Sequence, residues 1–380
     1  MRRPGRLTGS LASRRTAAAI GVVAALILAP FAGNRLRSVA LGMLPPVEAA
    51  PPAVVLRSTE VGAEGPTPTP IGLQGLQRAT EPGCCVLTGW LADSSSILVL
   101  AEPKPDTPAA LMAVALAGGP RTVVWERPGS LSPDGALALE PAGDRVRLTR
   151  RSDGRSWTIA NAGREPRVSP SGTLVAWDSV SKGILHPDVR EHALWVAEIT
   201  GTKARKLATV IGGGLVGWAE GEAAVIATGR ISATGQEGIW AIALDGSAPR
   251  LLHQVHRPRD PVVSPSGGWL AFYAAFTGDI GQNGLWVLRT DGTSLSKVTP
   301  FGAYRWRAEG RLLLIPMTEA LSPTLFEVDP AAGRAVQLTD PQQTSLPISN
   351  SDWLVSPDGK RVAFTSWVDR AIWVLTLPTP

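Results

Sequence analysis

The chain has 380 residues, 44% of them hydrophobic, which is enough apolar material for a large folded body and excludes disorder along the whole length. Its net charge of +5 is unevenly placed: residues 1–40 hold seven arginines and no acid, so the remaining 340 carry 30 basic against 32 acidic residues. A nucleic-acid-binding body is therefore not expected, and two adjacent cysteines, Cys84 and Cys85, supply neither a disulfide framework nor a four-ligand zinc site.

The first predicted element is a membrane signal. Thr16 to Ala32 reads TAAAIGVVAALILAPFA, without charge, with five arginines before it and two after. That asymmetry places the N-terminus in the cytoplasm and the rest outside it. The length falls between an export signal and a short transmembrane helix. An uncleaved anchor over 16–33 behind a basic tail at 1–15 is the preferred reading, because the best small-residue cleavage pattern, Val47-Glu48-Ala49, lies well beyond the run. A single-pass protein of the cell membrane follows. The alternative is a cleaved signal and a secreted or periplasmic protein. Residues 34–70 are proline-rich without sustained periodicity and read as an extended linker.

From residue 71 onward the chain repeats itself. An apolar residue, Ser-Pro-Asp/Ser-Gly and an alternating apolar run recur from Leu131, Val168, Val263 and Val355. Degenerate copies, with tryptophan in the apolar slot, begin at Trp90, Trp218 and Trp306. Proline presets the first turn position and Gly accepts positive φ, so each phrase predicts two strands joined by a tight turn. A third strand follows at Leu194-Trp195, Ile239-Trp240, Leu285-Trp286 and Ile372-Trp373, with Met112, Val146 and Phe326 in the same slot elsewhere. In most copies a hairpin signal such as Asp245-Gly246 or Asp291-Gly292 then leads to a fourth strand. Seven copies spaced by 37 to 49 residues predict an all-β fold, a seven-bladed propeller over 71–380, with six blades as the alternative. The last copy lacks a fourth strand, and Ile71 to Thr80 is expected to supply it and close the ring.

The SPDG, Ala-Phe and IWV pattern resembles the TolB-type, WD40-like β-propeller repeat. The resemblance covers roughly residues 71–380 and implies a fold, because similar blades occur in Tol-Pal accessory proteins, beside the hydrolase domain of prolyl-peptidase-like enzymes, and in exported proteins of other roles. The pattern departs from TolB in showing seven apparent blades rather than six, and a linker where TolB has an N-terminal α/β domain. The Tol-Pal role is not carried over. No G-x-S-x-G elbow is present.

Candidate site residues lie on the connections. His186, Asp188 and His192 fall in an insertion of the third copy; His253, His256, Arg257, Arg259 and Asp260 fall where the fourth joins the fifth. Up-and-down geometry puts these, with the other insertions from 103, 230, 276 and 317, on one face, where sites on rigid scaffolds tend to lie. The short Ser-Pro turns on the opposite face are expected to leave little room. His253, His256 and Asp260, or His186, Asp188 and His192, have donor types for a transition metal, but the spacing is loose and solvated loop histidines are preferred, so no metal or cofactor is assigned. The tryptophans are expected to pack between blades. Cys84 and Cys85 are read as small packed residues, with a vicinal or intermolecular disulfide as alternatives. The functional expectation is a membrane-tethered module that binds a protein or cell-envelope ligand through its loop-rich face without catalysis. The alternative is a propeller enzyme, a hydrolase or lyase acting on peptide or glycan, built from His253, His256, Asp260, His186 and Asp188; convergence of three or more of these on one pocket would favour it.

Overall fold

The computed structural model describes residues 53–55, 75–101, 109–160, 165–180, 186–317, 323–344 and 346–379. The expected basic tail at 1–15 and anchor at 16–33, most of the linker, and parts of the insertions from 103, 181 and 317 lie outside the described residues. No helix among the described residues is long and apolar enough to cross a membrane.

The fold is an all-β propeller whose strands follow the sequence repeats. The first repeat forms an antiparallel sheet of Cys85–Trp90, Ser96–Ala101, Leu111–Ala115 and Thr122–Trp125; the second is Ser130–Leu131, Leu137–Ala142, Arg145–Arg150 and Ser156–Ala160. The fifth is Arg259–Val263, Trp269–Ala274, Gly284–Arg289 and Leu295–Thr299, and the sixth Gly302–Ala308, Arg311–Pro316, Phe326–Asp329 and Arg334–Gln337. In the seventh, Ile348–Val355, Arg361–Ser366 and Ile372–Thr376 are completed by Leu76–Arg78, which pairs antiparallel with Ile372–Thr376 through Gln77 opposite Val374. Within the expected closing segment, these three residues supply the missing strand, so the N- and C-terminal parts of the body share one sheet.

Two features depart from the expectation. The third and fourth repeats form one curled seven-stranded sheet, because Arg205–Trp218 runs unbroken from the outer edge of one to the inner edge of the other. Its register shifts between Ile211 and Gly214. Glycine is required there: a Cβ on Gly213 would lie 2.0 Å from the Thr228 carbonyl oxygen, so only a bare backbone passes that close. The second departure is Ala53–Val55, inside the expected linker, which adds a fifth strand parallel to Leu295–Thr299. Val54, 1% exposed, packs with Trp269, Leu285, Tyr304 and Leu314 between the fifth and sixth repeats, and that burial offsets the ordering of an otherwise proline-rich stretch.

The core sits between repeats rather than within them. Second strands such as Ile97-Leu98-Val99, Val225-Ile226-Ala227 and Val362-Ala363-Phe364 are buried at successive residues, since a neighbouring sheet covers each face. In the third strand the alternation divides one dipeptide between two cores: Leu285 joins the cluster with the sixth repeat and Trp286 the cluster with the fourth. Among the described residues seven apolar clusters each join two consecutive repeats, including one that links Ala363, Ile372 and Val374 of the last to Trp90, Ile97 and Val99 of the first.

Both sets of tryptophans serve this packing. Trp90, Trp218 and Trp306 donate their indole N–H to the carbonyls of Leu354, Arg167 and Val262, at 2.8 to 3.4 Å, each on the inner strand of the preceding repeat. Trp195, Trp240, Trp286 and Trp373 donate within their own repeats, to Ser179, Gly229, Gln282 and Asp369.

Candidate functional site

The two ends of the propeller are built differently. At the turn end, each Ser of the Ser-Pro motif is buried and its hydroxyl accepts the backbone N–H five residues on: Leu137 to Ser132, Leu174 to Ser169, Trp269 to Ser264 and Arg361 to Ser356, at 2.9 to 3.2 Å. The degenerate turns then cap the intact turn of the preceding repeat. Glu309 accepts from Ser264 Oγ, Ser266 N and Gly268 N at 2.9 to 3.1 Å; Glu222 accepts from Ser171 N and, at 2.7 Å, from its Oγ; and Ser94 Oγ accepts from Asp358 N at 3.0 Å. Hydrogen bonding from Ser171 holds the Glu222 carboxyl below the usual carboxylate range, although burial, the largest single influence, opposes it. Arg307, 3% exposed, donates to Gly359 O at 2.8 Å and to Pro378 O, and pairs with Glu327.

A central cavity of about 680 Å³ is lined by inner-strand residues of all seven sequence repeats, including the turn prolines Pro133, Pro170, Pro265 and Pro357 and the indoles of Trp90, Trp218 and Trp306. The expectation of little room near the Ser-Pro turns is corrected here: the turns are short, yet the inner strands leave space between them.

The loop end carries the predicted candidates; it joins His186, Asp188, His256 and Arg257 and sets His192, His253, Arg259 and Asp260 apart from them. His186 Nδ1 stands 3.2 Å from Asp188 Oδ2, which also pairs with Arg257, while Arg230 donates to the Asp188 carbonyl at 2.8 Å. His256 Nδ1 lies 2.6 Å from Glu237 Oε2, and Glu237 Oε1 accepts from Arg257 N at 3.0 Å. The third-repeat insertion is thereby bound to the connection after the fourth repeat by the solvent-facing Arg257–Asp188 ion pair.

His192 is not a loop residue. It lies in strand Glu191–Glu198, 3% exposed, with Nδ1 3.1 Å from the equally buried Asp178 on the adjacent strand. The strand begins before His192, and its alternation turns the side chain inward; an acid within the apolar run VAWDSV was the available signal for its partner. His253 likewise belongs to a strand, Arg250–Gln254, half-buried with its ring 6.0 Å from that of Phe272.

Arg259 and Asp260 sit at a bulge, with Asp260 at φ +48° and the register shifted between Arg259 and Val262. The Tyr304 hydroxyl donates to the Asp260 carbonyl and fixes the bulge. Tyr273, whose ring centroid is 5.1 Å from that of Tyr304, donates to Gly302 O. Burial first, and the negative charge of Asp260 second, push the Tyr273 hydroxyl up to about 12; Tyr304 is raised well above its ordinary value, mainly by burial. Both stay protonated as donors to backbone, which is a structural duty. These are the only two tyrosines of the chain, and nothing in their sequence spacing announced the contact.

The same end carries a set of exposed apolar side chains. Nine large hydrophobic side chains are exposed among the described residues, and seven stand on loop-end connections: Val189, Phe276, Ile280, Phe301, Met317, Trp367 and Val368. Six of the seven come from the fifth, sixth and seventh repeats. Three of them have neighbours at this end: Arg259 stacks over Phe276 at 5.6 Å, Phe301 meets Tyr273 edge-on at 6.3 Å, and Met317 N donates to Phe301 O at 3.0 Å.

Where the seventh repeat meets the first, Cys84 and Cys85 are joined in a disulfide. That corrects the expectation of two packed thiols, which rested on the opposed directions of adjacent strand residues; Cys84 lies just before the strand, outside that alternation.

No family model and no curated protein matches the chain. Solved structures do. An oligogalacturonate lyase in complex with manganese aligns over 80% of this chain and 93% of its own at 14% identity and a TM-score of 0.57; a second, from Vibrio parahaemolyticus, does so over the same shares at 12% and 0.57. A putative TolB from Agrobacterium tumefaciens aligns over 68% of this chain and 95% of its own at 20% identity, with a TM-score of 0.42. At these identities the likeness to the lyases is one of fold, and the chain is a propeller module.

Proposed function

We propose that this chain is a seven-bladed propeller that docks another protein through the loop end of its fifth to seventh repeats, without catalysis. The seven-blade reading treats the seven-stranded sheet as two blades sharing one strand, and is supported by the seven inter-repeat clusters and by the seven repeats lining one cavity. The observation that carries the docking role is this set of exposed apolar side chains, with Phe276 and Ile280 each 84% exposed and Trp367 63%. Large apolar side chains exposed in this number on the loop-end connections of three consecutive repeats have the composition of a protein-binding surface.

Of the histidines and acids considered for an enzyme, His186, Asp188 and His256 are linked through Arg257 and Glu237 in one solvent-facing cluster while Asp260 sits at its bulge, and none of them lines the central cavity. The apolar run at 16–33 supports a tether that presents the propeller outside the cytoplasm, with a cleaved, secreted or periplasmic form as the other outcome.

The test is cross-linking and capture from envelope extracts with the full chain as bait, beside a Phe276→Ser/Met317→Ser/Trp367→Ser variant, followed by calorimetry on the recovered partner. Cross-links at the fifth-to-seventh loops and at least a tenfold loss of affinity in the variant support the reading. A partner held equally well by the variant overturns it.

A further inference from the structure

The disulfide between Cys84 and Cys85 lies on the connection from the closing strand Leu76–Arg78 to the first inner strand, Cys85–Trp90. A disulfide stabilises a fold chiefly by closing loops in the unfolded chain, and its effect grows with the number of residues enclosed. Between sequence neighbours it encloses none, so that contribution vanishes. Burial does not shield the bond either: both cysteines are half-buried, and Gly83 and Val86 on either side are exposed. On the Cys85 side a cavity of about 240 Å³ opens along the seam of the last and first repeats, with Gly83, Leu87, Thr365 and Arg370 in its wall. The bond is thus reachable from solvent and crosslinks no separate parts of the chain.

We propose that Cys84–Cys85 is a thiol–disulfide exchange site whose co-substrate is a dithiol reductant. A thiolate of the reductant attacks one sulfur, the S–S bond breaks, and a mixed disulfide forms as the displaced cysteine leaves as a thiolate and takes up a proton. The second thiolate of the reductant attacks its own sulfur in the mixed disulfide and releases the other cysteine. Two protein thiols and one oxidised, cyclic reductant result, so atoms and electrons balance.

The seam registers the change. Gly83 N donates to Arg370 O at 3.1 Å, Ala79 N to Ile372 O at 2.8 Å, and Ile372 N to Thr80 Oγ1 at 2.9 Å. The first ties the cysteine-bearing connection to the 367–371 turn, where Trp367 and Val368 are exposed, and the other two tie it to the start of strand Ile372–Thr376. Opening the ring frees the peptide between the cysteines, and the bond at Gly83 is the nearest one to loosen.

The experiment uses the full chain purified without reductant. It is treated with dithiothreitol in native buffer and quenched with iodoacetamide for intact-mass measurement, and amide hydrogen exchange is followed in parallel. Untreated protein takes up no alkyl group even when denatured. Treated protein takes up two under native conditions with an unchanged thermal transition, exchange at Gly83 rises several-fold, and oxidised dithiothreitol reverses both. A Cys84→Ser/Cys85→Ser variant exchanges at Gly83 like the reduced protein and ignores the dithiol. Alkylation of untreated protein, or reduction only where the propeller unfolds, overturns the proposal. Unchanged exchange at Gly83 overturns the coupling to the 367–371 turn.

Discussion

The turn end and the loop end share the same strands yet solve opposite problems. At the turn end, buried serine hydroxyls, backbone N–H groups and the carboxylates of Glu222 and Glu309 satisfy one another across neighbouring repeats. At the loop end the polar groups pair at the surface and the large apolar groups stay uncovered. The difference teaches where this fold is stabilised: a polar group taken from water costs free energy unless partnered, so the partnered end resists change and the wet end tolerates it.

The sharpest way to break that contrast is Arg307→Ala. It leaves Glu327, whose side chain is 13% exposed, without its cation and removes the clamp on Gly359 and Pro378, so a loss of about 3–5 kcal/mol is expected in urea unfolding. Less severe is Ser264→Ala, which strips the acceptor from Trp269 N and one donor from Glu309; about 1–3 kcal/mol should be lost. Phe276→Ser at the loop end should stay within about 0.5 kcal/mol in the same assay, and equal costs for the two would refute the contrast. Among the turn-end changes the mildest is Glu222→Gln, about 0.5–1 kcal/mol at pH 7. Because the Glu222 carboxyl is held below its ordinary value in the fold, its contribution is present above the ordinary carboxylate range and lost as pH falls through the depressed value. The thermal midpoints of wild type and variant should therefore converge on acidification; a constant gap would show that the carboxylate charge is not involved.

Much of the fold was legible because a propeller writes itself locally. Ser-Pro-Asp/Ser-Gly is a turn by the conformational limits of proline and glycine, and the apolar runs after it are strands by composition and length. The merging of the third and fourth repeats through Arg205–Trp218 was not legible, since whether Gly212-Gly213-Gly214 ends a strand or carries it onward depends on the Thr228 carbonyl passing beside it. Nor was the strand at Ala53–Val55: three ordinary residues in a proline-rich stretch become a strand because an edge and an apolar slot await them more than 240 residues later.

The candidate site was legible as a face but not as an arrangement. His186, His256, Arg257 and Asp260 were placed on the right end of the molecule by topology alone, whereas His192 moved into the core on a shift of strand boundary, and Glu237 and Arg230 entered only because the chain folds back on itself there.

By itself the sequence determined the class of fold, the repeat, the closing strand and the end on which the variable loops emerge, because these follow from backbone limits and periodicity within a few residues. Tertiary structure alone decided which side chains meet: the capping of one turn by the next repeat's glutamate, the two tyrosines against the Asp260 bulge, and Arg257 against Asp188. Such contacts join residues tens to hundreds apart, and short-range preferences carry no information about partners that only closure of the ring brings together.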